Sequence, residues 1–456
     1  MHNRRQFLSA SVAAATLLPF RPLLAMAATG GARIDGYGPL APVADETTGL
    51  PLLKLPEGFR YISFGWTGDE MSDGVATPAR HDGMAVIKTD GDLLTLVRNH
   101  EITSDDGAYG DPKCHYDSAA GGGTSTLVFD AKAGQWKESF ASLSGTLTNC
   151  AGGRTPWGSW LTCEEIVVNP GAFHTRAGRP VRLEKPHGFV LEVPAGGAKQ
   201  PQAITDMGQF VHEAVAIDRD SGIAYLTEDR NPEAGWYRFI PNKAGDLLAG
   251  GKLQAARVVG HPDMRSGLSV GERHAVEWVD IDEPAMGHSK GTEDRSGVYT
   301  QAAAGGASKF TRLEGCWAEN GLVCFTATNG GEAGAGQVFA YRPAENSIEL
   351  LYQSPGRDVL DAPDNLTLSP RGGLVLCEDG SRYGSLMHGL TPAGELFSLA
   401  ENNVELSGQH NGIEGDFRDS EWCGACFSDD GQWLFANIQT PGITFAITGP
   451  WSKTLG

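Results

Sequence analysis

The sequence predicts an all-β protein: a six-bladed β-propeller with a metal site in its central channel. Three observations lead there. The 456 residues include 61 glycines, and short apolar runs bounded by turn residues recur along the chain. Six of these runs share one form, and five of them end in a carboxylate or an asparagine where the strand should stop. The chain is also acidic, with 56 Asp and Glu against 36 Lys and Arg and a formal net charge of −20. Such a balance leaves no broad basic face for nucleic acid or anionic lipid.

Taken in order, the chain opens with MHNRRQFLSASVAAATLLPFRPLLAMAATGG. Arg4 and Arg5 precede an apolar segment and a small-residue cleavage pattern, which reads as a twin-arginine export signal over residues 1–28. The expected partner is the twin-arginine export machinery, and the expected location is periplasmic or secreted. This route carries folded proteins, often already loaded with a cofactor. Removing the signal takes away arginines and no acid, so the remainder is more acidic still. No later segment has the ~20 uninterrupted apolar residues of a membrane span.

Residues 29–456 read as one domain. The six runs are DLLTLVRNHE, WGSWLTCEE, GIAYLTEDR, GLVCFTATNGG, GGLVLCEDG and GQWLFANIQTPG. Glu101, Glu165, Glu228, Asn329, Glu378 and Asn437 mark their ends, at intervals of 64, 63, 101, 49 and 59 residues. Each interval has room for one four-stranded blade with its loops. The longest holds a polar insertion expected over the channel mouth. Hairpins with Asp-Ser-Gly, Arg-Gly-Gly and Asp-Asp-Gly turns fit between the runs, and their acids are structural.

If the marked residues end the innermost strands, they converge on the axis as a ring of oxygens. Like charges that close repel by several kcal/mol unless protons or cations neutralise them. Calcium takes six to eight such oxygens. Cys150, in the glycine-rich TNCAGGRTPWG, would lie at the mouth beside Glu164 and Glu165. As a thiolate it would select a transition metal; as a buried thiol or half-cystine it would do nothing chemical. A second set comprises Glu213 (with His212), Arg312, Glu314, Asp364 (with Asn365) and Glu421, each ahead of an apolar run. Arg312 beside Glu314 is either a clamp for an anionic oxygen group or an ordinary hairpin ion pair. His100, His212 and His274 are candidates for metal or proton-transfer duty, with a satisfied polar histidine as the plain alternative. Cys423 and Cys426 fit a disulfide, a redox pair or two core thiols.

The motifs TNCAGGRTPWGSWLTCEE, HEAVAIDRDSGIAYLTED, FTRLEG, PDNLTLSPRGGLVLCEDG and CFSDDGQWLFANIQTPGITFAITGPW, behind a twin-arginine signal, resemble the PhoX-type alkaline phosphatases. The similarity runs from about Leu50 to Trp451, though the chain is compact for that family. The resemblance implies a six-bladed propeller whose axial cofactor holds two ferric irons and calcium ions joined by an oxo bridge. It implies Cys150 as an iron ligand and Glu164, Glu165, Glu213, Glu314 and Asp364 as metal ligands. Arg312 is then the phosphate contact. Glu101, Glu228, Glu378 and Glu421 join the set on the strand-end argument.

The expected function is that of an exported, metal-dependent phosphomonoesterase: hydrolysis of small phosphomonoesters with Fe(3+) and Ca(2+), by a monomer. Two rivals fit the same residues. A calcium-dependent lactonase or esterase would use the acid ring without a Cys150 thiolate. A non-catalytic binding propeller would keep its calcium for structure alone.

Overall fold

The computed structural model describes residues 33–103, 107–175, 178, 180–380, 384–451 and 455. The export signal expected over residues 1–28 lies outside them. The fold is all-β, with one α-helix, Gly297–Ala304, among the described residues.

The chain lays down antiparallel meanders. His81–Asp90, Leu93–His100, Gly122–Asp130 and Gln135–Thr146 form a four-stranded sheet. Asn149–Arg154, Ser159–Glu164 and Val190–Pro194 form a three-stranded one. A nine-stranded sheet contains two meanders, His212–Ile217 to Gly251–Val258 and Leu313–Glu319 to Ser347–Gln353, joined through Arg273–Asp280. Pro363–Leu368 to Leu396–Asn402 carry two short strands, Leu53–Leu55 and Ala41–Val43, at their outer edge. Finally, Arg60–Phe64 pairs with Ile443–Thr448, so a strand from the start of the described chain completes the sheet made at its end.

The first strands of these meanders touch in sequence: His81–Asp90, Asn149–Arg154, His212–Ile217, Leu313–Glu319, Pro363–Leu368 and Trp422–Phe427, which returns to His81–Asp90. The arrangement is closed and propeller-like. It corrects one expectation. The runs ending at Glu101, Glu165, Glu228, Asn329, Glu378 and Asn437 hold the second strands, not the innermost. Antiparallel pairing sets the end of each second strand beside the start of the first: Asn149 pairs with Glu164, His212 with Glu228 and Pro363 with Glu378. Both sets of acids therefore reach the same mouth.

A device repeats at that mouth. Each first strand slips register against its partner just after it starts: between His81 and Met84, Asn149 and Gly152, His212 and Val215, Leu313 and Cys316, Pro363 and Leu366, and Cys423 and Cys426. A bulge bends the strand and re-aims one side chain. The residues at the bulge are Asp82, Cys150, Glu213, Glu314, Asp364 and Gly424. The first strands also approach closely. A Cβ on Gly153 would lie 1.6 Å from the Val215 carbonyl oxygen of the neighbouring first strand. Gly153→Ala should therefore destabilise the protein by roughly 3 kcal/mol, measurable as an earlier midpoint in urea.

Aromatic packing joins the sheets away from the axis. Phe129 meets Trp433 and Phe435 at ring-centroid distances of 4.8 and 5.3 Å, tying the first sheet to the last. Trp236 stacks on Tyr225 and Phe325 within one flank. The polar insertion supplies the outer-edge strand Arg273–Asp280 and the helix Gly297–Ala304. It reaches the loop after Glu228, where the Arg230 guanidinium sits 4.7 Å from the Tyr299 ring centroid. All eight cysteines are free thiols, so Cys423 and Cys426 are not bridged. They flank a bulge on one strand; Cys423 Sγ donates to the His81 carbonyl at 3.0 Å, and Cys426 packs in the apolar core.

Candidate metal centre

The bulged first strands and the ends of the second strands gather acids from all parts of the chain. Ligand atoms of Cys150, Glu165 and Glu213 lie within 4.8 Å of one another. Those of Glu213, Glu314 and Asp364 do the same, as do those of Asp364, Asp379 and Glu421. Glu213 and Asp364 are shared, so the three groups form one continuous band. Asp82 adjoins it: the Cys150 thiol lies 3.7 Å from Asp82 Oδ2. Gln439 Nε2 donates to Asp82 Oδ2 at 3.3 Å, to Glu101 Oε2 at 3.1 Å and to Glu421.

Burial and mutual repulsion act together here. Asp82, Glu165, Glu213, Glu314 and Glu421 are each pushed well above the ordinary carboxylate range, by burial first and then by the charges of their neighbours. Asp364 is pushed up to about 7, by burial and then by Asp379. The Cys150 thiol is raised by burial and by Asp82, Glu213, Glu165 and Glu101. Among the described residues, Arg312 and Arg80 reach only Glu314 and Glu101 at its edge, and the rest of the band has no cationic partner. Glu213 is the clearest case: both carboxylate oxygens are fully buried and accept no hydrogen bond from the described residues. A buried carboxylate without donors costs several kcal/mol unless it binds a proton or a cation. The donor set is carboxylate oxygen throughout, with one sulfur at Cys150. Those residues fit hard cations plus one thiolate-tolerant transition metal.

Two arginines stand at the rim. Arg312 Nε and Nη2 donate to the Asp229 carboxylate at 3.1 and 3.3 Å, and Nη2 donates to Glu314 at 2.7 Å. Burial works against its charge, but Glu314 and Asp229 outweigh it and hold the guanidinium protonated. Arg80 Nη2 donates to Glu101 Oε2 at 2.5 Å.

The remaining expected ligands stand behind the band. Glu164 Oε1 accepts from the Leu147 amide at 3.0 Å and faces His187 Nδ1 at 2.6 Å, while Oε2 accepts from the Gly188 and Phe189 amides. Glu228 Oε2 accepts from the Gly235 amide and the Tyr237 hydroxyl, both at 2.8 Å. Glu378 accepts from the Asp361 and Leu386 amides and meets His388 Nε2 at 2.9 Å. In these three pairs the first acid ties down backbone and the following one, Glu165, Asp229 or Asp379, joins the ring. The histidines are also occupied elsewhere: His100 bridges the Ala79 carbonyl and Ser125, His212 faces the Gly208 carbonyl, and His274 lies on an outer strand beside His261. Asn329 accepts from Thr311, and Asn437 donates to the Asp82 carbonyl.

Sequence reading missed Asp82, Asp229, Asp379, Arg80 and Gln439. A signal for Asp82 exists: His81-Asp82-Gly83 repeats the form of His212-Glu213-Ala214.

Comparison with known proteins places these residues in context. Among solved structures, the chain is similar to a gluconolactonase from Xanthomonas campestris, at 13% identity and a TM-score of 0.39, over 91% of this chain and 98% of that one. It is similar to a chain of a nidogen–laminin complex at 11% identity and 0.39, over 73% and 92%. A pyranose dehydrogenase PQQ domain from Coprinopsis cinerea is similar at 10% identity and 0.33, over 87% and 97%. No curated protein matches the chain. The family model described as alkaline phosphatase PhoX matches residues 35–141 and 134–442, which include every member of the acid band. The chain belongs to the alkaline phosphatase PhoX family.

Proposed function

We propose that this chain is an exported, metal-dependent phosphomonoesterase, built as a single six-bladed β-propeller over residues 29–456 with its metal site on the axis. One observation carries the reading: a continuous band of buried acids, with both Glu213 oxygens unpartnered, in a chain of this family. Cys150, Glu165 and Glu213 would hold ferric iron, because a thiolate favours a transition metal. Glu213, Glu314 and Asp364, and then Asp364, Asp379 and Glu421, offer the all-oxygen sets that suit calcium. Asp82, Glu101 and Asp229 complete the ring. Glu164, Glu228 and Glu378 fall outside the proposed ligand set, because backbone amides and neighbouring side chains engage them. When bound, ferric iron and calcium neutralise the carboxylates and act as Lewis acids on a phosphoryl oxygen.

Arg312 supplies the protein's own contact to substrate. Asp229 and Glu314 fix two of its nitrogens, and among the described residues Nη1 has no partner. A pre-oriented guanidinium of this kind binds phosphoryl oxygens and stabilises charge as it develops. The band offers ligands rather than a protein nucleophile, which matches hydrolysis. Export by the twin-arginine route would deliver the folded, loaded monomer to the periplasm or beyond. Among the described residues no helix is long and apolar enough to cross a membrane.

Elemental analysis and p-nitrophenyl phosphate hydrolysis on natively exported protein test this reading. Iron–thiolate ligation should give visible absorbance that Cys150→Ser bleaches. Colourless, iron-free protein with full activity would remove the iron assignment. Lactone turnover that survives Cys150→Ser, with no phosphomonoester turnover at full metal loading, would replace phosphatase by lactonase.

A further inference from the structure

Arg80 and Arg312 are the same position in two units of the repeat. Arg80-His81-Asp82 opens the first of the six contacting strands, and Arg312-Leu313-Glu314 opens the fourth. Each arginine sits two residues before the bulge acid. Each has a left-handed backbone, with φ of 53° and 37°. Thr148 and Ala362 take the same conformation at the corresponding place in the second and fifth strands, with φ of 49° and 52°. The turn therefore recurs in four of the six units, and it aims the Arg80 and Arg312 side chains alike; Val211 and Trp422, at the same place in the third and sixth, do not share it.

The two side chains are anchored alike too. Glu101 and Asp229 each follow the last residue of a second strand, Leu93–His100 or Ala224–Glu228. Arg80 Nε and Nη2 are fixed by Glu101 at 3.1 and 2.5 Å, as Arg312 Nε and Nη2 are fixed by Asp229. In both, Nη1 makes no hydrogen bond or ion pair among the described residues. The two side chains are 34% and 31% exposed, so both edges are reachable from the mouth. The order of contacts around the ring sets the first and fourth strands opposite each other. An arginine at only one of these places would be read as a local ion pair, and a pair this exposed contributes little. Two arginines, anchored identically on opposite sides of an acid ring, form a clamp for an anion that the ring alone would repel.

We propose that Arg80 is a second substrate contact, its Nη1 edge binding the same phosphoryl group as Arg312 from the opposite side of the channel. This rests on the phosphomonoesterase reading of the site. The test uses natively exported, metal-loaded wild type, Arg80→Lys, Arg80→Gln and Arg312→Lys. Metal content, kcat and KM for p-nitrophenyl phosphate, and the inhibition constant of inorganic phosphate are measured on each. Expected is a weakening of inorganic phosphate by about 10- to 100-fold in Arg80→Gln, the range of one hydrogen-bonded charge. Arg80→Lys should recover part of it, because the charge stays but the fork is lost. Metal content should match wild type in both. An unchanged phosphate inhibition constant overturns the proposal, as does metal loss in both Arg80 variants, which would mean that Arg80 serves Glu101 alone. Fully loaded wild type that neither hydrolyses phosphomonoesters nor binds inorganic phosphate overturns the functional reading and this proposal together. An active wild type with indifferent Arg80 variants overturns this proposal only.

Discussion

Glu213→Gln is expected to strip the protein of metal and activity while making the metal-free protein more stable. Glu213 is the hinge of the acid band, because its ligand atoms fall within reach of both Cys150–Glu165 and Glu314–Asp364. Among the described residues no other one is shared between the sulfur-containing group and the oxygen-only ones. Losing an outer-shell partner costs 10- to 100-fold in metal affinity, so losing this shared ligand should exceed about 100-fold. In the stripped protein the sign reverses. The wild-type carboxylate is buried, unpartnered and repelled first by Glu314, then by Asp364, Glu165 and Asp82. Glutamine is nearly isosteric, carries no charge and offers two N–H donors to those acids. The gain should be roughly 1–3 kcal/mol in chelator-treated protein. Urea titrations with and without chelator, beside elemental analysis, read both effects. Unchanged metal content in Glu213→Gln would contradict its placement at the centre of the site.

The logic that made Glu213 legible also shows where sequence reading slipped. Strand–turn–strand runs and their spacing revealed an all-β repeat, because alternation and turn chemistry are local. Which strand of a hairpin is innermost is not local: it depends on contacts between units, and these place the acid-ended runs one strand further out than their spacing suggests. The marked acids still lie at the same mouth as the others, because antiparallel pairing sets the end of each second strand beside the start of the first. Within a strand the tolerance is smaller. Successive side chains point to opposite faces, so a displacement of one residue exchanges a ring acid for a backbone clamp. Glu228 and Glu378 thus accept from backbone amides where Asp229 and Asp379 face the ring, and Glu164-Glu165 divides in the same way. The bulges were illegible, since a register slip is visible only against the partner strand. They explain how Asp82, within the apolar-looking HDGMAVI, turns toward the axis.

Chelated protein should lose stability as pH rises from 5 to 7, and the metal-loaded protein should lose much less. The folded-state pKa of Asp364 is raised to about 7 from 3.8, by burial and then by Asp379. A raised carboxyl means that the folded state holds a proton which the unfolded chain has released. Between pH about 4 and 7 the folded state therefore binds more protons, and stability falls as pH rises. The penalty is absent below the unfolded value and complete above about 7. For Asp364 alone it is on the order of 4 kcal/mol, and Asp82, Glu165, Glu213, Glu314 and Glu421 shift in the same direction. Cations that keep these acids ionised remove that dependence. Two groups outside the ring keep theirs in both forms: Glu228, raised to about 7 by burial, and His187. The His187 pKa is about 9, against the opposing effect of burial, because Glu164 and Asp117 flank it; its stabilisation is complete below about 6.5 and fades as pH climbs through 9. The difference between chelated and loaded melting temperatures at pH 5 and pH 7 therefore isolates the ring. A chelated protein that melts higher at pH 7 than at pH 5 would mean that these acids do not share one buried site.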